Sequence, residues 1–241
     1  MQKITVRLLV ALMTFVIGVV FAAVWIVWLT PEPVLESPAA VIESPQPTME
    51  SRCFPGRSRK LKALSRAENS YFPRDAFSYD SKLSEGFGHW YTRELQHLDE
   101  PAILNESRNT VYRFLWLRSF HPTIAVRIWL AGEKKMLSVK RLSNRKHDQP
   151  AALMLNQARS LTPEEWATFV KRVDASCFWE MPTTSDDPIA EDGAQWVFEG
   201  VREGYYHVTH RQSPDSGSYR ELCLYLLKLS ALPLESKGEI Y

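Results

Sequence analysis

An uncharged, almost wholly apolar stretch runs from Leu8 to Leu29 and constrains where everything after it can fold. Its 22 residues include one polar side chain, Thr14. At about 1.5 Å per residue, an α-helix of this length crosses a hydrocarbon layer roughly 30 Å thick. The sequence therefore predicts a transmembrane helix, and Trp25 and Trp28 are typical of an interfacial aromatic belt.

A cleaved signal peptide is the competing interpretation of the same stretch. Lys3 and Arg7 supply a basic start, and Ala22 ends a weak small-residue cleavage site. The apolar region is longer than signal peptides need, and cleavage after Ala22 leaves six apolar residues, 24–29, at a new N-terminus. We therefore predict a retained anchor over residues 1–29, which include a short cytoplasmic tip.

The charges that flank the anchor predict its orientation. Lys3 and Arg7 precede it, whereas the next basic residue after it is Arg52. Positive charge marks the cytoplasmic side of a membrane helix. We expect a single-pass protein of the cell membrane with a cytoplasmic N-terminus and an extracytoplasmic domain, periplasmic or on the cell surface.

Residues 30–70 are predicted to be a linker, rich in proline at first and then basic. The proline-rich part has too few apolar residues to fold and is kept extended by its prolines. The basic part holds Arg52, Arg57, Arg59, Lys60, Lys62 and Arg66. These residues either bind anionic lipid headgroups or an anionic envelope polymer, or form a solvated connector.

Composition excludes several function classes. Lys and Arg number 29 against 28 Asp and Glu, so nothing in the charge predicts a nucleic-acid partner. Cys53, Cys177 and Cys223 are odd in number and lack metal-ligand spacing, which argues against a zinc site or a disulfide framework. Cys177 and Cys223 are better explained as small core residues than as a redox pair, although an oxidising compartment permits a bond between them. No motif predicts a cofactor or a metal ion.

Residues 71–241 contain the pattern of a folded domain. We predict one helix from Gly86 to Leu98, a second capped by Thr162, and a third capped by Ser218 with Glu221. The third helix has an apolar stripe that consists of Tyr219, Leu222, Cys223, Leu226 and Leu229. Three β-rich runs lie between the first two helices, at Thr110 to Phe120, Thr123 to Leu130 and Lys135 to Leu142. The middle run alternates Ile124, Val126, Ile128 and Leu130 on one face with Ala125, Arg127 and Trp129 on the other, which predicts a sheet covered on one side. The order of elements indicates an α+β fold in which about three helices pack on an antiparallel sheet, a three-strand meander plus a C-terminal hairpin.

That hairpin is predicted within residues 194–211 from a glycine at the end of a four-residue turn. With Arg202-Glu203-Gly204 as its loop, Glu199 faces His207. The same register places Trp196, Phe198, Tyr206 and Val208 on an apolar face, and Gln195, Glu199, His207 and Arg211 on a polar face. It also places Tyr206 across from Gly200.

Several motifs in this domain carry a resemblance. They are the run from Tyr112 to Arg118, the sequence Asp192-Gly193-Ala194-Gln195-Trp196, then Glu199-Gly200, Tyr206-His207 and Arg211-x-Ser213-Pro214. The chain resembles a group of uncharacterised bacterial proteins over roughly residues 71–232. The resemblance implies a bacterial origin and adds no chemistry.

Glu199, His207 and Arg211 are the candidate binding residues, and we assign no catalytic residue. A carboxylate beside a histidine suits a general base, but no nucleophile motif accompanies the pair. Two hypotheses follow. The first is a membrane-anchored, non-enzymatic domain that binds an envelope protein or an anionic polymer. The second is an extracytoplasmic enzyme, hydrolase-like, which works on the polar face of the hairpin.

Overall fold

An antiparallel sheet forms the centre of the domain. The computed structural model describes residues 53, 59–60, 64, 68–78, 80–106, 110–144, 151–185, 192–233 and 240. The strands are β1 (Arg59–Lys60), β2 (Val111–Arg118), β3 (His121–Ala131), β4 (Lys134–Leu142), β5 (Leu153–Ser160), β6 (Ala194–Arg202) and β7 (Tyr205–Gln212). Their order is β1-β7-β6-β2-β3-β4-β5, and each neighbouring pair is antiparallel. The predicted α+β class is confirmed, with the meander β2-β3-β4 and the hairpin β6-β7.

Three α-helices pack on this sheet, and their caps differ from one another. They are α1 (Ser81–His97), α2 (Pro163–Ala175) and α3 (Ser218–Ser230). The capping box of α2 is confirmed, because Thr162 accepts from the Glu165 backbone and Glu165 reaches back to the Thr162 backbone. Helix α1 begins earlier than predicted, since Asp80 accepts from the first-turn amides of Lys82 and Leu83.

The predicted cap of α3 is wrong. Gly217 occupies the N-cap position at φ 94°, and no side chain caps the helix. Ser218 is the first helical residue, and Glu221 lies 3.5 Å from Arg172 of α2. The predicted apolar stripe is confirmed: Tyr219, Leu222, Cys223, Leu226 and Leu229 are all buried.

Both faces of the sheet are covered, whereas the sequence predicted a sheet covered on one side. Helices α2 and α3 pack on one face, around Trp116, Phe169 and Phe198. Helix α1 and the segment 68–78 pack on the other, around Phe77, Leu95 and Leu115. Seven of the eight residues of β2 are therefore buried, as in a central strand with a helix layer on each side.

The hairpin register differs by one residue from the predicted one. Glu203 and Gly204 form a two-residue turn, with φ values of 54° and 79°. Positive φ at both central positions is the geometry of a type I′ turn, which matches the strand twist. Glu199 thus pairs with Val208, and His207 pairs with Gly200.

Because of this shift, residues that were predicted to share one face of the hairpin lie on opposite faces of the sheet. Trp196 and Phe198 belong to the core under α2 and α3, whereas Tyr206 and Val208 belong to the core under α1. Tyr112 of β2, rather than Tyr206, lies across from Gly200 and covers it. A Cβ on Gly200 would lie 2.7 Å from the Tyr112 ring, so the glycine permits a close aromatic contact.

Two short pieces of the predicted linker belong to the folded unit. Cys53 forms a disulfide with Cys177, at a Cα–Cα distance of 5.3 Å. Strand β1 pairs with β7 at the edge of the sheet. The odd cysteine is Cys223, which is buried in the core.

The predicted transmembrane helix cannot be compared with the helices of the folded domain. Of the helices that the structure describes, none is long and apolar enough to span a membrane. The predicted span from Leu8 to Leu29 lies outside the described residues.

Candidate functional site

The three predicted site residues do not meet at one place. Successive side chains of β6 point to opposite faces of the sheet. Trp196 and Phe198 lie on the face under α2 and α3, so Glu199 lies on the α1 face. His207 pairs with Gly200 and Arg211 pairs with Trp196, so both lie on the face that α2 and α3 cover. The sheet therefore separates Glu199 from the other two, and no carboxylate–histidine pair forms.

Glu199 is one end of a buried charge network. Its side chain is 2% exposed and that of Arg113, opposite it on β2, is 0% exposed. Arg113 Nε donates to Glu199 Oε1 at 2.9 Å, and Arg113 Nη2 donates to the same oxygen. Tyr206 donates its hydroxyl to Glu199 Oε2 at 3.0 Å. Burial raises the pKa of the Glu199 carboxyl, and the charge of Arg113 opposes that rise.

The other end of the network is Glu100, which follows α1. Its carboxylate accepts from Arg127 Nε at 2.8 Å and lies 3.3 Å from Lys140 Nζ. It also lies 3.5 Å from Arg113 Nη1. Three cations of β2, β3 and β4 thus surround two buried carboxylates, and together they fasten the end of α1 to the sheet. This arrangement is structural, since neither Glu199 nor Glu100 lines a described cleft.

His207 and Arg211 hold the chain that follows α2. A ring nitrogen of His207, Nε2, lies 2.8 Å from Met181 O, and Arg211 donates to Pro182 O and Thr183 O at 2.7 and 2.8 Å. Together with the bond from His210 N, which donates to Thr183 O at 2.6 Å, these bonds satisfy carbonyls of an irregular segment beside β7. Both side chains therefore position a loop.

A second histidine, His210, is buried on the α1 face. Its Nε2 contacts Gln195 Oε1 and lies 3.2 Å from the Tyr91 hydroxyl, among the rings of Phe77 and Phe87. Burial, with a smaller effect from the charge of Arg211, lowers the pKa of His210 to about 4. His210 is therefore neutral near pH 7 and holds the inner side of Gln195.

Gln195 lines an open cleft at one end of the sheet. We call this the sheet-end cleft; its volume is about 400 Å³. The β2–β3 turn, the end of β4 and the start of β6 meet there, and Trp90 of α1 closes one side. Its polar lining consists of Arg118, Ser119, His121, Thr123, Ser143, Asn144, Gln195 and Gln212. A cleft of this size accommodates a small ligand or a short piece of a polymer.

A second cleft, about 330 Å³, adjoins the first across Pro122 and Ser143. Arg118 and His121 line both clefts, and Arg141 lines the second. The guanidinium carbon of Arg118 lies 4.0 Å from the Trp116 ring centroid, which fixes that side chain. Arg141 Nε is buried and has no hydrogen-bond partner in the described part of the chain.

The linings of the two clefts contain cations and amides but no carboxylate among the described residues. Behind the sheet-end cleft, the buried Glu94 accepts from Thr123 Oγ1 at 3.0 Å. Asp192, exposed, precedes the lining residue Gly193. The clefts are therefore built to contact hydrogen-bond acceptors and negative charge.

Sequence reasoning missed these cleft residues because they lie in turns that break up the strand pattern. Residues 120–123 were interpreted only as a break between two strands. The signal within that break was Phe120, which is 74% exposed, next to His121. Binding residues lie disproportionately on loops that a rigid scaffold positions, so a turn between two strands is a place to look for them.

Comparison with known proteins does not assign the site. No family model, curated protein or solved structure matches the chain. In the described ranges, no cluster of His, Cys, Asp and Glu side chains has the geometry of a metal site. The resemblance to uncharacterised bacterial proteins stays a prediction.

Proposed function

We propose that the chain is a membrane-anchored domain that binds an anionic polymer of the cell envelope at the two clefts of the sheet end, without catalysing a reaction. The observation that carries the proposal is the lining: Arg118, His121 and Arg141 stand among amide and hydroxyl groups, and none of the described lining residues is a carboxylate. Arg guanidinium groups bind carboxylate and phosphate oxygens in a fixed fork geometry.

The continuity of the clefts favours a polymer over a small metabolite. The two clefts share Arg118, His121, Leu142 and Asn144, so a chain-like ligand can run from one to the other. Both are open, and Phe120 offers an exposed ring at the entrance. Enzyme pockets usually enclose their substrate more fully, because water must be excluded from the reacting atoms.

The enzyme alternative loses its main support. It depended on Glu199 beside His207, and these residues lie on opposite faces of the sheet. His121 lines both clefts, but no carboxylate among the described lining residues stands beside it to orient it as a general base. His210 lies behind Gln195, where it is buried and neutral near pH 7. A binding role therefore explains more of the arrangement than a hydrolytic one.

The disulfide supports an extracytoplasmic location. Disulfides persist in oxidising compartments and are rare where thiols are kept reduced. The bond between Cys53 and Cys177 agrees with the orientation predicted from Lys3 and Arg7.

Binding of polyanion probes to the full chain in detergent tests the proposal. Polyglutamate and polyphosphate serve as probes, and dextran serves as a neutral polymer. We expect both polyanions to bind and dextran to bind at least tenfold more weakly. Arg141→Gln should weaken polyanion binding, because it removes a guanidinium from the second cleft. Asp192→Asn should strengthen it, because it removes the negative charge beside Gly193.

A matched control removes the same charge elsewhere. Arg74 is exposed and pairs with Glu85, away from both linings. Arg74→Gln should leave polyanion affinity within about twofold of the original chain. Equal losses in Arg74→Gln and Arg141→Gln would indicate diffuse attraction to the whole surface, and unchanged binding in Arg141→Gln would refute the site.

A further inference from the structure

The two edges of the sheet are protected very differently. Strand β1 forms one edge of the sheet and has only two residues, Arg59 and Lys60. A short, positively charged edge strand resists pairing with a strand of another molecule. Strand β5 ends the other side with eight residues, and seven of them are exposed. No strand in the described ranges pairs with its outer edge. This edge therefore offers a long row of backbone donors and acceptors to a partner strand.

The outward-facing groups can be identified from the ladder. Leu161 N donates to Lys135 O at 2.8 Å, so the bonds to β4 recur at every second residue. Gln157 and Arg159 consequently direct their backbone groups to β4. Asn156, Ala158 and Ser160 direct theirs away from the sheet.

From Asn156 to Ser160, the outer edge of β5 lacks the prolines, bulges and unpaired charges that usually prevent an edge strand from pairing with another strand. A register shift opposite Arg141 and Leu142 displaces only the first residues of the strand. Arg159 is the one charged residue of β5, and its guanidinium is paired with Glu165 at 2.8 Å and donates to Leu229 O at 3.1 Å. It also donates to Ser160 O at 3.1 Å, which leaves that carbonyl its second lone pair.

We propose that β5 pairs with β5 of a second copy of this chain, antiparallel and centred on Ala158, so that two sheets become one. In this two-fold arrangement Ala158 faces Ala158 of the partner copy, and Asn156 faces Ser160. Gln157 faces Arg159, whose guanidinium an amide oxygen can approach. Each side chain meets a neutral or hydrogen-bonding neighbour, and no like charges are opposed.

A second copy is favoured over an unrelated peptide by this self-complementarity. In an isologous contact, residues at equal distances from the centre of the strand face each other, and the pairs above are compatible in size and charge. Met154, near the start of β5, lines the second cleft, but the pairs described above begin at Asn156, which lines neither cleft. The inference therefore does not depend on the proposed polymer ligand.

Cysteine crosslinking of the full chain in detergent tests the pairing. The Cα atoms of a hydrogen-bonded antiparallel pair lie about 5.5 Å apart, within the range that a disulfide spans. Ala158→Cys should therefore form a disulfide-linked dimer in most of the molecules under mild oxidation. Ala167→Cys, at an exposed position on α2, is the matched control and should give little dimer.

Proline substitution separates pairing from folding. Ala158→Pro removes an amide that points away from β4, so the fold should keep its melting temperature while sedimentation shows loss of the dimer. Wild-type chain that sediments as a monomer up to about 100 μM, a range in which weak homodimers assemble, would overturn the proposal. Crosslinking of Ala158→Cys to a different protein, or a dimer that survives Ala158→Pro, would also overturn it.

Discussion

Replacing Glu199 by glutamine tests whether the charge network under α1 stabilises the fold. The substitution keeps the shape of the side chain and removes its charge. Arg113, which is fully buried, then loses the carboxylate that accepts from its Nε and Nη2. We expect the domain to be destabilised, because a buried cation without its counter-ion keeps the cost of its desolvation.

The size of the effect follows from what remains around Arg113. Breaking a buried ion pair on one side costs about 3 to 5 kcal/mol. Glu100 remains 3.5 Å from Arg113 Nη1, and the amide oxygen of the new glutamine still accepts a hydrogen bond. Both reduce the loss, so we expect about 3 kcal/mol, the lower end of that range. For a domain of this size, the melting temperature should fall by about 6 to 12 °C.

Urea denaturation of the full chain in detergent, followed by tryptophan fluorescence, measures the change. The midpoint should fall while the slope of free energy against urea stays constant. Arg74→Gln is the control, because Arg74 pairs with Glu85 but is 57% exposed, and its loss should cost less than about 1 kcal/mol.

A double variant tests the cause. Changing Glu199 to leucine and Arg113 to methionine together replaces the pair by apolar groups of similar size. It should recover most of the lost stability, because burial of the two charges is no longer required. If Glu199→Gln costs no more than Arg74→Gln, the network contributes little and our account of this face is wrong.

Four further outcomes are expected. As the pH drops from about 6.5 to about 4, the free energy of unfolding should fall by about 3 kcal/mol more in the wild type than in His210→Gln. The reason is that the unfolded chain takes up a proton over this range, whereas folded His210, with its pKa near 4, binds one only at the lower limit. Equal pH dependence of the two proteins in urea titrations would contradict this. Cys53→Ser should cost about 2 to 4 kcal/mol and leave a second free thiol, whereas Cys223→Ser should preserve the disulfide in non-reducing mass spectrometry. Leu226→Ala should cost about 2 to 5 kcal/mol, since Leu226 is buried under α3, and an unchanged melting temperature would refute the burial. A reporter fused after Tyr241 should be active only when it functions outside the cytoplasm, and activity inside would reverse the predicted orientation.

Local patterns in the sequence predicted those elements whose signals lie within a few residues. The alternation in β3 and the capping box at Thr162 are of this kind, and both are present in the structure. Asp80 is an equally local sign of a helix start, but the glycines at 86 and 88 disfavour a helix and led to a predicted start that is too late. At α3, glycine at position 217 takes a positive φ that leaves Ser218 inside the helix.

The candidate site was harder to predict because it depends on register. A three-residue loop and a two-residue type I′ turn fit the same Arg202-Glu203-Gly204 sequence, and the choice moves every later side chain to the other face. Glu199 and His207 separate for this reason alone. The clefts depend on turns brought together from distant parts of the chain, and the Cys53–Cys177 bond joins residues 124 positions apart. No short pattern encodes these contacts.

That sulfur bridge also decides how the domain bears mechanical load. If tension is applied between the residues that precede Cys53 and the C-terminus, the covalent path runs from Cys53 directly to Cys177. Residues 54–176, which include β1 to β5, α1 and α2, form a loop that carries none of this tension. The load falls on β6, β7 and α3, and reduction of the bond would transfer it to the meander.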